Sequence, residues 1–166
     1  MRRGLLVALW LMVVVSSAPA VAQPDLLRRV GLTVADTRAS GYRFEQFRVD
    51  SADGERRYRV NVAVPTTTAA TAHPVAYLLD GNAGLMEVDR ALLERLARSP
   101  RPPVIAFIAH DNDLRIDPER RAFDYTPRRP GGDEAQRDAI GDRRNGGADD
   151  FLALIERDIA PRVEAM

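Results

Sequence analysis

Residues 74–110 read PVAYLLDGNAGLMEVDRALLERLARSPRPPVIAFIAH, and this stretch fixes the class of the fold. "PVAYLLDG" (74–81) is a short apolar run closed by Pro74 and Gly81, the pattern of a strand buried on both faces. "PPVIAFIAH" (102–110) repeats that pattern and is ended by polar residues beginning at Asp111. Between the two runs Leu85, Val88, Leu92, Leu93 and Leu96 recur at helical spacing, which predicts a crossover helix over 84–98. Strand, helix and strand in so short a span form a βαβ unit, and therefore a parallel pair of α/β class.

Upstream, "RRYRVNVAVP" (56–65) alternates cleanly, with Tyr58, Val60, Val62 and Val64 on one face. "YRFEQFRV" (42–49) does so less regularly: Tyr42 and Phe44, then after a slip Phe47 and Val49. Asp53-Gly54 between these runs suits a hairpin turn. An antiparallel hairpin thus leads into parallel strands with crossover helices. Downstream, 111–147 is dominated by Gly, Asp and Arg, and "RPGGDEAQRDAIGDRRNGG" (129–147) reads as a mobile insert. A last helix follows, with Phe151, Leu154, Ile155, Ile159 and Val163 on one face and Asp149 and Asp150 complementing the dipole at its start. Pro161 is expected to kink or end its final turn.

The N-terminus has a different logic. Arg2 and Arg3 precede an apolar run from Leu5 to Val15, and Ala20-Val21-Ala22 is an A-x-A cleavage signal. The run is too short to span a bilayer comfortably. The expected organisation is a signal peptide over 1–22, a leader over 23–41 and a domain over 42–166. An exported protein follows, periplasmic or secreted and free of the membrane after cleavage. Without Arg2 and Arg3 the formal charge is −2, from 22 basic and 24 acidic side chains. That balance lacks the basic face a nucleic-acid partner requires. No internal repeat is visible, which argues against solenoids and propellers.

Candidates for chemistry are few. Cysteine is absent, which removes a thiol nucleophile. Ser16 and Ser17 leave with the signal peptide; Ser40, Ser51 and Ser99 lie in turns or linkers, none within a G-x-S-x-G elbow. His73, at a strand entrance, reads as a surface residue. His110 ends a parallel strand, where ligands of open α/β sheets bind, and with Asp111 and Asp113 it offers metal-ligand atoms. The spacing fits no calcium loop, since the sixth and twelfth positions from Asp111 are Ile116 and Ala122. No metal or cofactor is expected. Gly146-Gly147 reads as a flexible loop rather than a phosphate cradle, because Asp149 and Asp150 would repel an anion. Asp124 and Glu119, flanking Arg120-Arg121, read as a solvated charge cluster. Two features remain. "LLDGN" (78–82) ends a strand either with amides free for a ligand or with Asn82 capping the next helix. "RRAFDYTPRRP" (120–130) sets arginines and Tyr125 on a loop beyond the next strand, suited to an anionic or aromatic ligand.

Taken in order, "YRVNVAVPTTTAATAHPVAYLLDGNA", "PPVIAFIAH", "RRAFDYTPRRP" and "GGADDFLALIERDIAPRVE" resemble the N-terminal half of the esterase family of α/β-hydrolases. The subgroup most resembled is that of periplasmic esterases cutting the trilactone of enterobactin-type siderophores. The resemblance covers roughly 42–166. It implies an oxyanion amide at Gly81 and Asn82, substrate recognition by Arg121, with Arg120 as its neighbouring alternative, and a pocket-shaping role for Tyr125. It also implies that the nucleophilic serine and the catalytic histidine lie beyond Met166, so that the chain stops before the nucleophile strand and is inactive by itself. The substrate of the full-length protein would be a small-molecule ester, anionic or aryl. The alternatives are a non-catalytic secreted ligand-binding α/β module and a metal-dependent hydrolase built on His110.

Overall fold

The computed structural model describes residues 25, 28–37, 41–67, 72–131, 136–138 and 142–166; the expected signal peptide lies outside them. Four strands form one sheet in the order β1-β2-β4-β3. β1 (Tyr42–Asp50) and β2 (Arg57–Pro65) pair antiparallel in unbroken register from Tyr42↔Pro65 to Asp50↔Arg57. The turn between them is closed by Ser51 N–H on the Arg56 carbonyl at 2.8 Å, and Gly54 takes φ +72 there. β3 (Val75–Leu78) runs parallel to β4 (Val104–His110), as the βαβ reading requires.

The slip expected in β1 is not there. Phe44 and Phe47 fall on opposite faces because both faces of the sheet are covered, so β1 feeds two cores rather than one. Tyr58, Val60, Val62 and Val64 of β2 and Val104, Ala106 and Ile108 of β4 pack against the C-terminal helix, joined at the margin by Phe47 and Val49. Ile105, Phe107 and Ala63 face the other way, with Tyr42, Leu85 and Leu93 and with Phe44 alongside. β4, buried at every position, is the central strand between these layers.

β3 is half-buried at all four positions, not buried on both faces as its sequence suggests. Among the described strands it pairs on one side only, with β4. The crossover is likewise broken in two, α1 (Gly81–Glu87) and α2 (Arg90–Ala97). Val88 is extended, and the Asp89 carboxylate accepts from Leu92 N–H at 2.7 Å to start the second helix.

The segment after β4 carries a helix, and part of the 129–147 stretch lies outside the described residues. α3 (Pro118–Asp124) begins on Asp117, whose carboxylate accepts from Arg120 N–H at 3.1 Å, with Pro118 at the first helical position. Gln136, Asn145, Gly146 and Gly147 are buried, so the double glycine is packed rather than flexible. A β-carbon on Gly147 would fall 2.0 Å from the Phe123 ring, so any larger residue there requires that ring to move. The C-terminal helix runs as α4 (Ala148–Leu154), a π-helical turn (Ile155–Ile159) and α5 (Ala160–Glu164). Pro161 neither ends it nor breaks it. Ala160 N–H bonds to the Ile155 carbonyl, five residues back, and the widened turn absorbs the missing proline donor. Phe151, Leu154, Ile159 and Val163 are buried as the periodicity predicts.

The described part of the leader is docked. Val30 N–H bonds to Asp113 and Arg115 N–H to Arg28, and Val34 is buried beneath a 3-10 turn capped by Thr33 and Asp36. Among the described residues no helix is long and apolar enough to cross a membrane.

Candidate active site

β3 and β4 deliver their C-terminal ends to one edge of the molecule, where ligands of open α/β sheets bind. Beyond β3 the chain turns on Asp80, held at φ 50 and ψ 46 in the left-handed region, and enters α1 through Gly81 and Asn82. Gly81 is wedged on the central strand. A β-carbon there would lie 2.5 Å from the Phe107 carbonyl carbon and 2.6 Å from Ile108 N. Asp80 makes no side-chain cap, and Asn82 does not cap either: it lies inside the first turn. The Asn82 side chain instead bonds to the carbonyls of Asn112 at 3.1 Å and Leu114 at 2.8 Å. The amides of Gly81 and Asn82, in the first helical turn, have no intrahelical acceptor.

Three of the four singled-out residues meet through Asp80, which itself was not singled out. Its carboxylate accepts from Arg121 Nε at 2.8 Å, and its N–H bonds to the Tyr125 hydroxyl at 3.0 Å. Arg121 lies 5.4 Å over the Tyr125 ring with 49% of its side chain exposed. Among the described residues its terminal nitrogens make no hydrogen bond. Arg120 turns away to Asp117, so between the two arginines it is Arg121 that stands at the turn. Burial raises the Tyr125 hydroxyl above the ordinary phenol range, against the opposing Asp80 amide bond, so it remains protonated. Tyr125→Phe should lower stability by about 1–2 kcal/mol, by leaving the Asp80 amide without its partner. Urea unfolding measures this, and an unchanged midpoint would mean that the bond contributes nothing.

Beneath this edge lies a buried charge cluster. Asp124, expected to be solvated, has a side chain with 0% exposure. Its Oδ2 lies 2.7 Å from His110 Nε2 and accepts from the Tyr58 hydroxyl at 2.8 Å. Its Oδ1 makes no hydrogen bond among the described residues and faces Arg56 Nε at 3.4 Å. Burial first, then the Asp124 carboxylate, push the Tyr58 hydroxyl far above the ordinary phenol range, which keeps it a donor. Asp124 is the one fully buried residue of α3. His110 is thereby committed to Asp124, while Asp111 pairs with Arg59 and Arg48, and Asp113 with Arg29. These three do not converge, and among the described residues no group of three metal-ligating side chains does. His73 is half-buried, its Nδ1 2.7 Å from the Pro102 carbonyl, rather than on the surface.

No protein-family model matches the sequence. Over 151 residues the chain is 40% identical to the apo-salmochelin esterase of Escherichia coli, an alignment holding 90% of this chain and 47% of that protein. The solved enterobactin and salmochelin hydrolase IroE superposes with a TM-score of 0.67 at 41% identity, over 79% of this chain and 49% of the other. The chain resembles these siderophore esterases in sequence and in fold. A siderophore hydrolase, EstA from Aspergillus nidulans, has a TM-score of 0.55 at 27% identity, over 73% of this chain and 43% of its own. The chain spans about half the length of the relatives it matches. Its sequence reading missed Asp80, Arg59, His110 with Asp124, and Tyr58. One signal was available: Tyr58 and His110 are register partners on the same face of their strands, which a correct strand pairing would have exposed.

Proposed function

We propose that this chain forms the oxyanion and substrate-recognition half of an exported serine esterase that cleaves anionic or aryl esters of the siderophore-lactone class. The observation that carries it is the junction at Asp80, where Arg121 and Tyr125 are bound directly to the turn bearing Gly81 and Asn82. A carbonyl oxygen set against those amides would receive hydrogen bonds as it becomes an oxyanion. The terminal nitrogens of Arg121 would grip a phenolate or carboxylate of the same substrate, and the Tyr125 ring would back an aryl group. The nucleophile and its histidine are assigned to the part of the relatives' length that this chain does not span. The short apolar run and A-x-A motif at the N-terminus support export.

The test is hydrolysis by the full-length protein, compared with the 166-residue chain, on a catechol-bearing trilactone and on a neutral aryl ester. The full-length protein should cleave both, and the isolated chain neither; hydrolysis by the isolated chain would overturn the assignment of the nucleophile. Arg121→Ala should raise KM for the anionic ester by about tenfold or more, the worth of a charge-assisted hydrogen bond. The neutral ester should be nearly unaffected, and equal effects on the two would remove Arg121 from recognition.

A further inference from the structure

We propose that Arg59 is the positioning residue of the oxyanion turn, clamping the turn after β3 to the loop after β4. The inference rests on reading Gly81 and Asn82 as the oxyanion donors. Arg59 lies in β2, opposite Ala109 of β4, and the small alanine lets the long side chain cross the central strand. Its Nη2 donates to Asn82 Oδ1 at 3.2 Å and to the Asn112 carbonyl at 2.7 Å, and its Nη1 to Asp111 Oδ1 at 3.2 Å. Asn82 Nδ2 bonds to the same Asn112 carbonyl, so Arg59, Asn82 and Asn112 close a ring of hydrogen bonds.

Three consequences follow from that ring. The Asn82 side chain, in a residue only 3% exposed, has its oxygen and its nitrogen both engaged inward, so its backbone amide is what it can offer a substrate. Asp111 balances the Arg59 charge, so the role of Arg59 is geometric rather than electrostatic. And a planar guanidinium spans both acceptors with one terminal nitrogen while pairing Asp111 with the other, which a single ammonium does not reproduce. Oxyanion donors act only when aimed beforehand, and aim depends on groups one layer behind them.

The experiment uses the full-length protein with Arg59→Met and Arg59→Lys, and with Arg48→Ala as control. Arg48 is the other partner of Asp111 and stands outside the ring. Both Arg59 variants should lower kcat on a neutral aryl ester by about 10- to 100-fold, up to the effect of losing one oxyanion donor, with KM within about twofold. Binding of an alkyl boronic acid, which forms a tetrahedral adduct on a serine, should weaken by the same factor. Amide hydrogen exchange at residues 81–83 should accelerate, and Arg48→Ala should change none of these. A kcat within about threefold of wild type, or a lower kcat with unaltered boronate binding and amide exchange, overturns the clamp. Should Arg59→Met not fold, Arg59→Lys keeps the charge opposite Asp111 and gives the same readouts. A wild-type protein that cleaves no ester overturns the esterase reading instead, and amide exchange alone then decides the clamp.

Discussion

Replacing Asp124 by alanine is expected to destabilise the fold by about 3–5 kcal/mol, the effect of breaking a buried ion pair from one side. The carboxylate is wholly enclosed and is shared by three elements: Tyr58 on β2, His110 at the end of β4 and α3 itself. Its removal takes away the acceptor of the Tyr58 hydroxyl, the partner of His110 Nε2 and the counter-charge of Arg56, which keeps its bond to the Tyr58 oxygen at 3.2 Å. Each such group then bears its own desolvation penalty. Arg56 has further contacts, over Phe123 at 4.4 Å and to Asp53 at 3.1 Å, so it is the least affected of the three. Asp124→Asn keeps the shape and one acceptor and should cost less, about 1–3 kcal/mol. Urea unfolding of the full-length protein orders the two variants; an alanine variant within about 1 kcal/mol of wild type would mean that the cluster holds nothing together. Because Tyr125 follows Asp124 directly and Arg121 lies one turn before it, the asparagine variant should also raise KM for anionic esters.

Gly81→Ala is the second large effect, and it acts on stability and chemistry together. The new β-carbon meets main-chain atoms of Phe107 and Ile108 at 2.5–2.8 Å, in a central strand hydrogen-bonded on both sides. Neither partner has a rotamer to give up, so the turn itself must move. Overpacking of this kind costs about 3 kcal/mol. Displacing the turn also turns the amides of residues 81 and 82 off the developing oxyanion, and kcat should fall by about 10²- to 10³-fold. An alanine variant with wild-type kcat would exclude this turn as the oxyanion site, whatever its stability.

The successes and failures of the sequence reading have separate physical causes. β2 and β4 were legible because alternation and an uninterrupted apolar run are local consequences of being covered on one face or on two. β3 is half-buried in this chain, where it pairs with β4 alone. The crossover helix kept its apolar period through Val88 even though the backbone breaks there. The period reports which side faces the sheet, and the Asp89 cap reports where the helix restarts. Gly81, Asn82, Arg121 and Tyr125 were legible through resemblance, but not the Asp80 carboxylate and amide that join three of them. Asp124 was misread because two arginines and a glutamate surround it in the chain. Its neighbours in space are Tyr58 and His110, 66 and 14 residues away.

By itself, then, the sequence determined the α/β class, the antiparallel hairpin, the parallel βαβ pair and the amphipathic final helix. Each of these follows from the periodicity of apolar side chains within a dozen or so residues. The tertiary structure alone decided which carboxylate is buried, which of two adjacent arginines faces the turn, and that Arg59 reaches Asn82 across the central strand. Those outcomes depend on strand register and on the face each side chain takes, and register is a property of pairs of segments far apart in the chain.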